Sequence, residues 1–301
     1  MKLNFDKVYP LIVLALNEDI GKGDITTDIC IPKHQTSTAT ITAKQPGIIC
    51  GLELIEFIFI IVNPKIKITY FKKDGQQVKK GDKIVTIKGN TKSILSTERI
   101  ILNFLQQLSG VATISNQYVT KIKQHNTKIL DTRKTLPGMR YLQKYAVICG
   151  GAQNHRKGLY DMILIKDNHI KSAGSITKAV NLCTNQKTNY QNKKKNEKSK
   201  YKNISDIKIE VECSTLKQVK EALQTNCNWI MLDNMPLTEM KTALKLINKQ
   251  KIVEASGGIT LTNLSNIAKL GVDYISTGAI THSYKALDLS MNIVDNNNDD
   301  N

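Results

Sequence analysis

The sequence predicts an α/β protein in which a small α+β region precedes a parallel β/α barrel. Three observations lead there. Up to about Lys92, two-residue alternation and glycine-marked turns dominate. From Ser96 on, short apolar runs alternate with segments of helical period. Each of those runs, finally, ends in polar or charged residues.

The N-terminal stretch MKLNFDKVYPLIVLAL reads as a surface helix, because its apolar run is short, acidic Glu18 and Asp19 follow, and no small-x-small cleavage site appears. Alternation over Thr38–Thr42 predicts a strand, and Leu52–Val62 predicts an apolar helix interrupted by Glu53 and Glu56, too short to span a bilayer. The run DGQQVKKGDKIVTIKG, with Gly75, Gly81 and Gly89 at its turns, reads as a hairpin. It resembles a carrier-domain turn but presents no lysine in a carrier-type motif. Ser96 is expected to cap a helix bearing Ile101, Leu105 and Leu108 that stops at Gly110. The boundary is therefore set at residue 110, with a barrel over 111–283 and a segment near 284–295 expected to pack back on the first domain.

Six apolar runs follow: Lys128–Leu130, Met162–Ile165, Ile207–Val211, Trp229–Leu232, Lys251–Val253 and Tyr274–Ile275. Helices are expected between the later ones, capped by Ser214, opened by Pro236, and ended by Gly271 after Leu264, Ile267 and Leu270.

Composition narrows the function. The 301 residues carry 43 Lys+Arg against 26 Asp+Glu, a net charge of +17, so anionic partners are expected. Much of that excess is local, since Lys187–Lys202 holds seven lysines against one acid. It has no apolar period and reads as a solvated loop insertion over about 184–206. No basic helix interleaved with aromatics, RNP-like segment or zinc spacing supports a specific nucleic-acid binder. The six cysteines form no CxxC pair, which fits reduced thiols in a soluble cytoplasmic protein with no membrane attachment.

The residues after each strand carry the chemistry. They are Asp131-Thr132-Arg133-Lys134, Lys166-Asp167-Asn168-His169, Glu212, Asp233-Asn234, Glu254-Ala255-Ser256-Gly257-Gly258 and Thr277-Gly278. In a β/α barrel those ends converge on one face, whereas purely structural charges would scatter over the outer helices. Arg133, Lys134, Arg156 and Lys166, with His155 beside them, would repel one another unless a multiply anionic substrate lies between them. Glu212 and Asp233 suit ribose hydroxyls, a Mg2+ ion or an electron-poor sugar carbon. Ser256–Gly258 and Thr277–Gly278, each expected before a helical turn, let backbone N–H groups approach a phosphate.

The segments EDIGKGDITTD (18–28), TERIILNFLQQLSGVAT (97–113), LDTRKTLPGMR (130–140), KYAVICGGAQNHRKGLYDMILIKDNHI (144–170), IEVE (209–212), IMLDNM (230–235), EASGGI (254–259) and GVDYISTGAITHS (271–283) resemble successive signatures of the quinolinate phosphoribosyltransferase family. The likeness covers nearly the whole chain except about 184–206 and the tail after Val294. It implies an N-terminal α/β sandwich domain joined to an open seven-stranded α/β barrel, and an enzyme that transfers phosphoribosyl from phosphoribosyl pyrophosphate (PRPP) to quinolinate with decarboxylation. It also implies a homodimer in which Arg99 reaches the neighbouring active site. Arg99, Thr132, Arg133, Lys134, His155, Arg156 and Lys166 would hold the carboxylates and phosphates, Glu212 and Asp233 the ribose and its Mg2+, and Ser256, Gly257, Gly258, Thr277, Gly278 and Ala279 the 5′-phosphate. Lys134, Lys166, Glu212 and Asp233 are the expected catalytic residues. One departure is Ala152, where the family commonly has a third glycine. Three other readings compete: a relative acting on another pyridine or pyrimidine acid, a Schiff-base aldolase built on Lys166, and a non-enzymatic nucleic-acid binder.

Overall fold

The computed structural model describes residues 2–193 and 207–294, and they divide into two compact units. The first joins Met1–Asn116, Thr135–Gly151 and Ile280–Asn301; the second joins Gln117–Lys134 and Ala152–Ala279.

In the first unit, helix α1 (Phe5–Asp19) turns Val8, Ile12 and Leu16 inward at helical spacing. Helix α2 (Ile25–Cys30) is capped by Asp24, whose Oδ1 accepts from the Thr27 N–H at 3.0 Å. Strand β1 (Thr36–Ala43) buries Ala39, Ile41 and Ala43 completely, which is the period-two pattern of a half-buried strand. After β2 (Gly47–Ile48), helix α3 (Glu53–Val62) buries Leu54, Ile55, Ile58 and Phe59. Then come β3 (Lys67–Tyr70), β4 (Gln77–Val78) and β5 (Lys83–Asn90).

The expected hairpin over residues 74–89 does not form. β4 pairs with β2, while β5 runs antiparallel to both β1 and β3. Gly75 and Gly81, at φ +85° and +92°, turn the chain out of one sheet and into the other. Long-range pairing overrides the local turn signal.

Helix α4 spans Thr91–Lys121 without interruption, so neither the Ser96 cap nor the Gly110 stop is found. Asn90 Oδ1 accepts from the Ser93 N–H at 3.1 Å at the start, and Ser96 Oγ instead donates to Asp24 Oδ2. Gly110 has a different task. A Cβ there would lie 2.4 Å from the Lys285 carbonyl oxygen and 3.0 Å from Ala286 Cα. The returning C-terminal segment runs along the helix at that point, with Leu287 N–H donating to Gln106 O and Gln106 Nε2 to Leu289 O. It ends in β12 (Leu289–Val294), antiparallel to β1, completing a sheet of order β12-β1-β5-β3. The expected boundary at residue 110 thus falls inside a continuous helix. α5 (Arg140–Cys149) also belongs to the first unit.

The second unit carries all six expected strands: β6 (Lys128–Leu130), β7 (Ile163–Ile165), β8 (Ile209–Cys213), β9 (Trp229–Asp233), β10 (Ile252–Ser256) and β11 (Tyr274–Ser276). They form one parallel sheet in the order β6-β11-β10-β9-β8-β7. Gln153 adds a single parallel bridge beside Leu130. With Gln153 counted as a one-residue seventh strand, the order follows the chain around a barrel that stays open between Gln153 and β7.

The intervening helices are α6 (Asp167–Ala173), α7 (Ile176–Lys193), α8 (Leu216–Leu223), α9 (Leu237–Ile247) and α10 (Leu264–Ala268). The cap of α8 is Thr215 rather than Ser214, and Pro236 precedes α9 as expected. α7 continues to Lys193, so 184–193 is helix rather than loop, there being no glycine or proline to stop it. The rest of the lysine-rich stretch, 194–206, lies outside the described residues. All six cysteines are free. No helix among the described residues is long and apolar enough to cross a membrane.

Gly110→Ala separates two opposing effects. Helix propensity favours alanine by about 1 kcal/mol, whereas pressing a methyl group into backbone costs about 1–3 kcal/mol. Because the obstacle is the Lys285 carbonyl, a net loss of stability is expected in urea unfolding.

Candidate active site

Parallel pairing sets the site. Glu212, Met231, Glu254 and Tyr274 stand in one register across β8–β11, and Asp233 stands opposite Ser256 one step further on. Residues two apart share a face, so Glu210 lies below Glu212 and Glu254 below Ser256. Glu212 and Glu254 therefore share one row, with Glu210 a step below it and Asp233 and Ser256 a step above.

After β6, Asp131 is fully buried and its Oδ1 accepts the His155 N–H at 2.8 Å. Thr132 Oγ1 accepts from the Lys134 N–H at 3.0 Å, curling the segment that presents Arg133 and Lys134. Arg156 follows the Gln153 bridge. Its N–H donates to His155 Nδ1 at 2.7 Å, and its Nη1 to Met162 O at 3.2 Å. Burial, and next the Arg133 guanidinium, pull Arg156 below its ordinary value, with Glu210 opposing them. Arg133 and Arg156 thus feel each other's charge.

Lys166 leaves β7 at the start of α6, its N–H bonded to His169 Nδ1 at 3.0 Å. Its Nζ is hydrogen-bonded and ion-paired to Glu212 Oε2. A Schiff-base lysine needs a neutral amine free to attack, and this pairing weighs against the aldolase reading.

Asp233 ends β9 half-exposed, with Asn234 Nδ2 donating to its Oδ2. Asn234 itself has φ +54°, and its N–H donates to Ser256 O. Gly257 and Gly258 follow at φ +88° and +60°, and a Cβ on Gly257 would lie 2.3 Å from Asn234 Oδ1. The ends of β9 and β10 interlock there, and only glycine fits at 257. Ser276 Oγ donates to Ser256 Oγ at 3.0 Å, and the Ala279 N–H to Thr277 Oγ1. Gly258 leads into a turn before α10 rather than directly into a helix.

The engagement of His155 differs from expectation. Both ring nitrogens of His155 point into the protein, with Nε2 3.0 Å from Glu210 Oε2 and 3.4 Å from Glu254 Oε2. Arg99 lies in the first unit, exposed on the third turn of α4. The glycine run is accommodated. Gly151 alone takes a positive φ, Gly150 has no room for a Cβ beside Ala112, and Ala152 is buried with ordinary backbone.

Glu210 is not among the residues the sequence singles out, and Glu254 is there only as a strand-end residue with no task of its own. Burial, and next the charge of Glu254, push Glu210 up to about 7. Burial opposes charging of His155, but its hydrogen bonds to Glu210 and Glu254 outweigh that and push it up to about 10. The Arg156 N–H requires a lone pair on Nδ1, so the ring proton sits on Nε2. The raised proton affinity belongs to the Glu210–His155–Glu254 group as a whole.

A parallel α/β barrel with clustered cations and a glycine-lined turn at its strand ends defines a class: barrel proteins that take small, multiply anionic ligands. Comparison with known proteins narrows it. Residues 111–292 match the model of the quinolinate phosphoribosyl transferase C-terminal domain, and 24–109 that of its N-terminal domain. The chain is 42% identical to quinolinate phosphoribosyltransferase [decarboxylating] 2b, mitochondrial, of Nicotiana tabacum, covering 93% of this chain and 80% of that one. It is 43% identical to a probable nicotinate-nucleotide pyrophosphorylase [carboxylating] of Synechocystis, covering 95% and 92%. The solved nicotinate-nucleotide pyrophosphorylase of Francisella tularensis superposes with a TM-score of 0.86 at 40% identity, over 97% of this chain and 98% of that one. The chain belongs to the quinolinate phosphoribosyltransferase family.

Gly257→Ala and Gly258→Ala provide an internal control. Both place alanine at positive φ, costing about 1–2 kcal/mol, but only position 257 adds a clash, since position 258 has open space. Gly257→Ala is expected to lower the unfolding midpoint clearly further than Gly258→Ala.

Proposed function

We propose that this protein transfers the phosphoribosyl group of PRPP to the ring nitrogen of quinolinate, with loss of CO2, giving nicotinate mononucleotide and pyrophosphate for NAD biosynthesis. The observation that carries this reading is the convergence of Arg133, Lys134, Arg156 and Lys166 at strand ends of one sheet, opposite the glycine turn at 257–258. A dicarboxylate and a phosphorylated sugar together supply the anions that such a cluster needs.

Each part of the site then has a task. The guanidiniums of Arg133 and Arg156 grip the acid's carboxylates in bidentate fashion and hold the ring nitrogen toward the ribose C1. The N–H groups around Gly257, Gly258 and Ala279 receive the 5′-phosphate. Glu212 and Asp233 face the ribose, where positive charge develops as pyrophosphate departs. Lys166, held by Glu212, stays among the anions. Once the ring nitrogen is quaternary, the ring accepts the electron pair left by the departing carboxylate, and no protein nucleophile is needed.

Asp233 and Glu212 also fit a Mg2+ ion. Such an ion binds through one or two carboxylates and completes its shell with substrate phosphates and water, and these acids end neighbouring strands. Asp233 would hold it directly, and Glu212, already engaged by Lys166, through water. When bound, the ion neutralises pyrophosphate as a leaving group.

The same reading includes a homodimer in the cytoplasm in which Arg99, exposed on α4, serves the neighbouring site. The Nicotiana relative is named mitochondrial; the cytoplasmic placement rests on the six free cysteines.

The test is turnover of quinolinate and PRPP with Mg2+, following nicotinate mononucleotide and CO2. Both products are expected, and Arg133→Ala should lower kcat/KM for quinolinate by about a hundredfold or more, the loss of a bidentate charged contact. Product from nicotinate but not quinolinate would reassign the acid; product from neither would sink the reading. The shared-site arrangement has its own check. Arg99→Ala and Arg133→Ala subunits, each inactive alone, should regain activity when mixed and allowed to exchange, because one of the two sites in a hybrid dimer is intact. No recovery despite demonstrated exchange would count against it.

A further inference from the structure

Beneath the cations lies a group that the chemistry above leaves without a task. Glu210 on β8 and Glu254 on β10 are fully buried, and the imidazole of His155, with its side chain 6% exposed, lies between them. Glu210 Oε1 and Glu254 Oε1 have no hydrogen-bond partner among the described residues, and Glu254 Oε2 has only the contact with His155 Nε2 at 3.4 Å. Burying two carboxylates with so few donors is costly, so the arrangement calls for a function.

A metal site is the first thing such a trio suggests, since its ligand atoms lie within 4.8 Å of one another. The hydrogen bonding argues otherwise. His155 Nδ1 is 2.7 Å from the peptide N–H of Arg156, and a peptide nitrogen can only donate. Nδ1 must therefore keep its lone pair, which leaves the ring proton on Nε2, and a protonated nitrogen cannot bind a metal. The carboxylates hold that N–H instead.

We propose that Glu210 and Glu254 are positioning residues for the acid-binding site, acting through His155 on Arg156. Resting on the activity proposed above, the chain of contacts is short. The carboxylates take the Nε2–H and fix the ring plane, and Asp131 holds the His155 backbone N–H at 2.8 Å. Nδ1 then takes the Arg156 N–H, and the Arg156 Nη1 bond to Met162 O sets the direction of the guanidinium. One carboxylate would be enough for one N–H. Glu210 also sets negative charge against Arg156, which Arg133 repels, and Glu254 Oε2, 3.4 Å from the same ring nitrogen, holds the imidazole from its other side.

The experiment is steady-state kinetics of Glu210→Gln and Glu254→Gln, which preserve shape and remove charge, each also in an Arg156→Lys background. Each single variant should raise KM for quinolinate about tenfold, since misplacing a binding group by 1 Å can cost up to about a hundredfold, with KM for PRPP unchanged. In the Arg156→Lys background the further loss should nearly vanish, because both changes damage one contact. An equal rise in both KM values, or full additivity with Arg156→Lys, would overturn the proposal. Nitrogen-15 NMR of histidine-labelled wild type gives a readout independent of turnover and of variant folding. His155 should show a protonated Nε2 and an unprotonated Nδ1, and the opposite tautomer or a metal-shifted Nε2 would equally overturn it. If the wild type turned over no quinolinate, the activity reading alone would fall; the tautomer and the dissociation constant for quinolinate, measured by calorimetry on the same variants, would still decide this one.

Discussion

Gathering Arg133 and Arg156 at one end of a parallel sheet sets like charges against each other, and the rest of the second unit is arranged around that repulsion. Parallel register makes the balance possible. Residues two apart share a face, so a strand that ends in a functional side chain carries its neighbour directly below. In β8 and β10 that lower neighbour is a glutamate. The sheet thus places Glu210 a step below Glu212 and Glu254 a step below Ser256, and both reach His155, whose Nδ1 accepts the Arg156 N–H.

The glycines perform a different task at the other side of the mouth. Gly257 lies so close to Asn234 that a methyl group would meet both its side chain and its backbone. In the proposed reading backbone N–H groups meet the phosphate there in place of a flexible lysine, so nothing has to be ordered when the ligand arrives. On that proposal, fixed guanidiniums for planar carboxylates and fixed peptide groups for a tetrahedral phosphate are two answers to two ligand shapes.

Much of this was legible in the residues. All six apolar runs became strands, because short β-branched stretches bounded by turns have few alternatives. The polar residues after them fell on one face, since a parallel sheet leaves no other choice. What the sequence concealed had three physical causes. Gly110 was taken as a stop because glycine weakens a helix, but its role is to admit the Lys285 carbonyl, a contact from far along the chain. The residue 74–89 hairpin failed because β5 finds better partners in β1 and β3 than in β4. Glu210 escapes the sequence reading, and Glu254 enters it only as a strand end, because a charged residue within a strand looks like a strand end or a solvent-facing position. The visible sign was the spacing of Glu210 and Glu212 in IEVE, which requires both to face the same way. His155 was read as a substrate contact from its company among cations, and only the geometry shows that its two nitrogens are already engaged.

The C-terminal strand has a consequence for how the molecule is made. β1 gains β12 as a neighbour through the pairing of Thr38 with Val294, so its sheet stays one strand short until residues 289–294 have been synthesised. The β6–β11 sheet, by contrast, is assembled from residues 128–276 and has all its strands before β12 exists. Contacts this distant in sequence form slowly, and the first unit must wait with an unpaired strand edge, the feature that most invites association with other chains. During synthesis, the barrel half can settle while the sandwich half is still exposed.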